Sequence, residues 1–95
     1  MRFALMIEAQ QGLSYLDQLA LVRRAEAAGF EAFFRSDHYA SFPGPADGPS
    51  TDAWAVLAGL ARETERITLG TLVSPVTFRY PGSFVKVVTT VDEMS

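Results

Sequence analysis

Short, nearly continuous apolar runs alternate along the chain with longer segments in which apolar residues recur every three or four positions. That alternation predicts strands and helices in turn. The first seven residues carry an apolar run from Phe3 to Ile7, closed by Glu8. This is the pattern of a strand covered on both faces, as in a parallel sheet. Glu8 to Gly12 forms a polar loop, and Ser14 with Asp17 three residues later has the spacing of a capping box opening a helix. Tyr15, Leu16, Leu19 and Val22 give that helix its apolar side, and Gly29 closes it after about Ala28. Phe30 to Phe34 reads as a second strand. His38 to Ser50 holds three prolines and two glycines, the composition of either a binding loop or a disordered one. Thr51 or Asp52 caps a second helix running to about Glu63, with Trp54, Leu57, Ala58 and Ala61 at helical spacing. Ile67 to Val73 reads as a third strand, ended by Ser74 and Pro75. Pro81 suits a first helical turn. The segment after it has Phe84, Val87, Val88 and Val91 at helical spacing, although its many β-branched residues prefer strand.

Strand–helix alternation of this kind predicts a parallel sheet joined by right-handed crossovers. All strand C-termini then point the same way, so that Glu8, Gln10, Asp37, His38, Ser74 and Thr77 are expected on one face. Three strands do not close a barrel, and an eight-fold β/α barrel takes about 250 residues. The expected fold class is therefore α/β, with residues 1–95 forming an incomplete domain: the N-terminal βαβαβα portion of a (β/α)8 TIM barrel. A small open α/β unit is the alternative. A dinucleotide-binding Rossmann domain would carry G-x-G-x-x-G in its first loop, where this chain offers only Gly12.

Composition narrows the range of functions. Of 95 residues, 48% are hydrophobic and 20% charged, as in globular domains. A net charge of -3 without a Lys or Arg cluster argues against nucleic acid as a partner. The absence of cysteine excludes disulfides and thiolate chemistry, and a single histidine argues against a metal site. No apolar stretch approaches the ~20 residues that span a membrane, and the cytoplasm is the expected location.

The candidate chemistry centres on Arg35-Ser36-Asp37-His38-Tyr39, where the only histidine stands directly behind a carboxylate at the end of the second predicted strand. The C-terminal ends of parallel strands are where barrel enzymes place reacting groups, and histidine exchanges a proton near neutral pH. Ser74 and Thr77 fit turn chemistry, and Arg79 is expected in solvent or on a carboxylate. Trp54 and Phe78 are expected in the core.

At Ser36-Asp37-His38-Tyr39, Gly70-Thr71-Leu72-Val73 and Thr77-Phe78-Arg79-Tyr80-Pro81 the chain resembles the bacterial luciferase-like family of flavin- and deazaflavin-dependent oxidoreductases. The likeness extends to Glu26-Ala27-Ala28-Gly29-Phe30 and covers about the first third of a family member. The Ser-Asp-His pattern is similar to the branch that uses the deazaflavin coenzyme F420, whereas FMN enzymes of the family more often show Glu-His-His. The resemblance implies that Asp37 binds the deazaflavin ring system and that His38 is the catalytic residue, assisting hydride transfer as proton donor or acceptor. It also implies a non-proline cis peptide at Leu72-Val73 behind the cofactor's central ring, with Ser74 beside it.

One of Glu8, Gln10 and Gln11 is expected to line a small-molecule organic substrate, and Gln10 is taken here together with Phe42. Sugar-phosphate dehydrogenases of the family carry tryptophan where this chain has Phe42, a departure that argues against a sugar phosphate. The function implied is hydride transfer between F420 and an organic substrate, in a homo-oligomer when complete. Two alternatives stand beside it: an FMN-dependent luciferase-like monooxygenase, and a non-catalytic truncated or partner-completed half-barrel.

Overall fold

A computed structural model describes all residues 1–95. Its elements follow the predicted order: β1 (Ala4–Ile7), a 3-10 turn (Ala9–Gln11), α1 (Tyr15–Ala27), β2 (Ala32–Arg35), α2 (Ala53–Glu63), β3 (Thr68–Thr71) and α3 (Pro81–Met94). The three strands pair in the order β1-β2-β3, all parallel. Ala4, Ala32 and Thr68 stand in register, as do Ile7, Arg35 and Thr71 at the other end. The three strand exits therefore open onto one side, as the alternation predicted.

Each boundary has a local cause. Ser14 Oγ accepts from the Asp17 amide while the Asp17 carboxylate accepts from the Ser14 amide, the reciprocal box that satisfies two otherwise unpaired donors. Gly29 takes φ +88 just past α1, a left-handed conformation that costs side-chain-bearing residues more. Asp52 caps α2 by accepting from the Ala55 amide at 2.8 Å, and Pro81 opens α3 at a position that needs no amide donor. The β-branched residues of α3 do not prevent the helix. Two of its hydroxyls, on Thr89 and Thr90, donate back to the Val85 and Lys86 carbonyls.

Strand β2 begins two residues later than expected. The Phe30 amide still bonds the Ala25 carbonyl at the end of α1, and the first bond across to the β1 side is that of the Glu31 amide to the Phe3 carbonyl. Strand β3 is likewise shorter than the apolar run. The Ile67 amide is taken by the Glu26 side chain, and pairing with β2 ends as the Leu72 amide bonds the Arg35 carbonyl.

The core lies between the sheet and the helices: Val22 and Ala25 of α1, Phe33 of β2, Val56, Leu57, Leu60 and Ala61 of α2, with Ile67 and Val91. Each large apolar side chain fully buried here contributes on the order of 1.5–3 kcal/mol. Helix α1 turns Tyr15, Leu19 and Val22 inward as expected, together with the buried Gln18 and Ala25, but Leu16 is 72% exposed. Leu16 lies about 100° around the helix from Tyr15, outside the stripe formed by Tyr15, Leu19 and Val22. Gly59 lets α1 and α2 meet, because a Cβ there would lie 2.8 Å from the Tyr15 ring.

One expectation fails. The first strand was expected to be covered on both faces, but of the sheet only the face bearing Leu5, Ile7, Phe33 and Leu69 packs against the core. The other face, with Ala4, Met6, Ala32, Phe34, Thr68 and Gly70, carries no helix. The Phe34 ring packs against Gly70 on it, where a Cβ would approach the ring to 3.0 Å.

The opposite side of the molecule, where strands begin, is laced by charge. The Glu26 carboxylate accepts from the backbone amides of Glu65, Arg66 and Ile67. These bonds hold it below its ordinary value of 4.5. Arg2 pairs with Glu31, and Arg23 with Glu63.

Candidate functional site

Residues 36 to 38 leave β2 at the exit side, and the 36–52 connection contains no helix or strand. It is nonetheless tied down. Ser50 Oγ donates to the His38 carbonyl at 3.2 Å, and Gln11 Nε2 reaches across from the turn after β1 to the Phe42 carbonyl at 3.1 Å. The Phe42–Pro43 peptide is cis. Of the two expectations for this stretch, these ties agree with an ordered loop.

His38 is half-buried, and its ring meets Phe42 edge-on with centroids 4.6 Å apart. Asp37 is 2% exposed. Its two carboxylate oxygens receive the two terminal nitrogens of Arg79, one at 3.0 Å. Arg79 also donates to Asp52 at 3.1 Å, so the cap of α2, the exit of β2 and the approach to α3 meet at one guanidinium. Tyr39 and Phe84 lie 5.6 and 5.7 Å from it. Hydrogen bonding to Asp37 holds Arg79 charged more firmly than usual, against a smaller opposing effect of burial. Arg79 thus sits on carboxylates, one of the two environments expected for it. The Asp37 carboxylate expected to meet a cofactor is already engaged by this arginine.

At the exit of β3 the Leu72–Val73 peptide bond is cis, at the position the motif spacing implied. Leu72 and Val73 are 54% and 62% exposed, forming an apolar shelf. Ser74 is held beneath it: the Trp54 indole donates to Ser74 Oγ at 2.9 Å, and Thr71 Oγ1 lies 2.7 Å from the same oxygen. A cleft of about 140 Å³ opens beside it, lined by Ser74, Pro75, Val76, Arg79, Pro81 and Phe84. Trp54 packs against the core as expected, but Phe78 does not. It stacks on Tyr39 at the site, ring centroids 4.5 Å apart.

The predicted convergence is partial: Asp37 meets Arg79, which lines the same cleft as Ser74, whereas Gln10 bonds elsewhere. Gln10, expected to line the substrate, is 1% exposed. Its amide donates to Glu8 at 2.7 Å and its carbonyl accepts from Ser36, so it braces the residue before Asp37. Ser74 bonds Trp54 and Thr71. Thr77 is exposed. The sequence reading missed Arg35, which is 0% exposed and bonded to Gln18 and Thr51. A signal existed: two-residue periodicity places Arg35 on the same strand face as Phe33, toward the helices.

The arrangement offers a histidine, an apolar shelf with an ordered hydroxyl, and a guanidinium already neutralised by acids. Those are parts for binding a flat, partly apolar group and moving a proton beside it. No three His, Cys, Asp or Glu side chains cluster to hold a metal, and no helix is long and apolar enough to cross a membrane.

Comparison with known proteins agrees with this picture. The family model described as luciferase-like monooxygenase matches residues 1–95. An F420-dependent glucose-6-phosphate dehydrogenase of Intrasporangium calvum is 46% identical over 57 residues, 60% of this chain and 17% of that protein. A solved structure, the coenzyme F420-dependent tetrahydromethanopterin reductase of Methanopyrus kandleri, superposes with a TM-score of 0.77 at 24% identity. That match covers 96% of this chain and 23% of the reductase, and at that identity it shows a shared fold. The matched stretches thus cover under a quarter of the length of either relative.

Proposed function

Starting from the fact that this chain belongs to the luciferase-like monooxygenase family, we propose that the complete protein transfers a hydride between coenzyme F420 and a small organic substrate. The observation that carries the reading is Asp37-His38 at the exit of β2, facing the side onto which the β3 shelf also opens. The 46%-identical relative, itself F420-dependent, supports the choice of cofactor.

The residues present fit such a group. Leu72 and Val73 present exposed apolar surface where a planar ring system can rest, and Ser74 adds a hydroxyl already oriented by Trp54. F420, when bound, supplies a two-electron carrier that accepts or gives hydride. His38 then holds or releases a proton at its imidazole, keeping charge balanced as hydride moves. Asp37 contributes by fixing Arg79, which shapes the wall of the cleft. Phe42, against the His38 ring, lines the substrate side. Gln10 acts from behind by holding Ser36.

The second reading is an FMN-dependent enzyme that activates oxygen, in keeping with the word monooxygenase in the family's description. Parallel titration of the complete protein with F420 and FMN separates the two. Tight F420 binding with reduction of the deazaflavin absorbance is expected; preferential FMN binding with substrate-dependent oxygen uptake overturns the proposal.

A further inference from the structure

Arg35 is buried without an ion pair. All four of its hydrogen bonds go to neutral acceptors: Nε to the Ser36 carbonyl at 3.0 Å, Nη1 to Gln18 Oε1 at 3.0 Å and Thr51 Oγ1 at 3.1 Å, and Nη2 to the Thr51 carbonyl at 2.9 Å. The nearby carboxylates of Asp37 and Asp52 are bonded to Arg79 instead. Burial weakens the hold of Arg35 on its proton, and the charges of Asp37 and Asp52 oppose that.

Burying a cation on neutral partners is costly, and an apolar residue packs the same space without that desolvation. What the guanidinium adds is reach. Its rigid fork joins the first residue after β2, the last residue before the α2 cap, and the first turns of α1. Gln18 closes the triangle by donating to Thr51 Oγ1 at 3.2 Å and to the Leu13 carbonyl at 3.1 Å. Just inside this knot, Ser50 bonds the His38 carbonyl. The loop is drawn shut at its neck, and His38 stands two residues beyond the tethered Ser36 carbonyl.

We propose that Arg35, acting with Gln18 and Thr51, is a positioning residue that sets the backbone path of Ser36 to His38 and hence where the imidazole stands. The inference rests on the reading of His38 as the proton-transfer group. Its magnitude follows from geometry: displacing a reacting group by about 1 Å costs on the order of 100-fold in rate.

The test uses the complete protein with Thr51→Val, which removes one acceptor at nearly constant shape, and Arg35→Lys, which keeps the charge but loses the fork. Without cofactor, amide hydrogen exchange is expected to quicken across residues 36–51 while β1 and α2 keep their protection. In turnover, Thr51→Val is expected to lower kcat about tenfold with KM changed by less than about twofold. In a His38→Ala background it is expected to lower kcat no further, because the two changes act through one group. Unchanged exchange across 36–51, or the same loss of kcat in both backgrounds, overturns the proposal. Should Arg35→Lys not fold, Thr51→Val decides by itself. A wild-type protein without F420 turnover defeats the proposed function alone, and hydrogen exchange then decides the clasp.

Discussion

Asp37 and His38 are neighbours in sequence with opposite fates. One is sealed beneath Arg79 with both oxygens bonded, and the other is half-buried with its ring against Phe42. Their substitutions should therefore separate. His38→Ala in the complete protein is expected to slow turnover by about 100-fold or more, the usual contribution of a positioned acid or base, with little change in cofactor affinity. Asp37→Asn is expected to act the other way, weakening cofactor binding and lowering stability by about 3 kcal/mol as a buried pair loses its anion. Steady-state kinetics beside F420 titration and thermal unfolding read both. Unchanged turnover in the first variant would remove His38 from the mechanism. The importance of this dipeptide was legible because it closes an apolar run. Its partner was not: Arg79 lies 42 residues away, and an arginine before a helix reads equally well as solvated or bonded to some other carboxylate.

Among the elements, α1 and β3 are joined by a carboxylate rather than by the apolar pattern. Glu26 receives three amides from the turn into β3. Hydrogen bonding from those amides lowers its pKa from 4.5. The unfolded chain therefore takes up the proton first as pH falls. The stabilisation from Glu26 is complete above about pH 4.5 and is lost as pH drops through the lower folded value. Glu26→Gln should flatten the acid limb of a stability–pH curve measured by denaturant unfolding; a curve superposable on wild type would refute the assignment. Element order, caps and the parallel sheet were all legible, because capping residues, Gly29 and the apolar runs act locally. The strand ends were not, since Phe30 and Ile67 are apolar yet have their amides claimed by the Ala25 carbonyl and the Glu26 carboxylate. Arg35 was missed for a related reason: its partners Gln18 and Thr51 lie 17 and 16 residues off, and only folding brings them together.

At the scale of the molecule, a three-stranded sheet has two unpaired edges, and here one face of it is also bare, with Met6 and Phe34 set among Ala4, Ala32 and Gly70. Such surfaces pair with whatever strand or apolar face is at hand. Residues 1–95 prepared alone are expected to self-associate, which concentration-dependent sedimentation would reveal. A monodisperse, cooperatively folding monomer without cofactor affinity would instead mark an independent non-enzymatic domain. The charged seams lie where the strands enter, through Arg2–Glu31, Arg23–Glu63 and the Glu26 carboxylate, whereas Asp37, Asp52 and Arg79 gather where the strands leave. Inheritance can therefore act on the two ends separately: a lineage can rewrite the ligand-facing connection for a new compound while the sutures underneath descend unaltered.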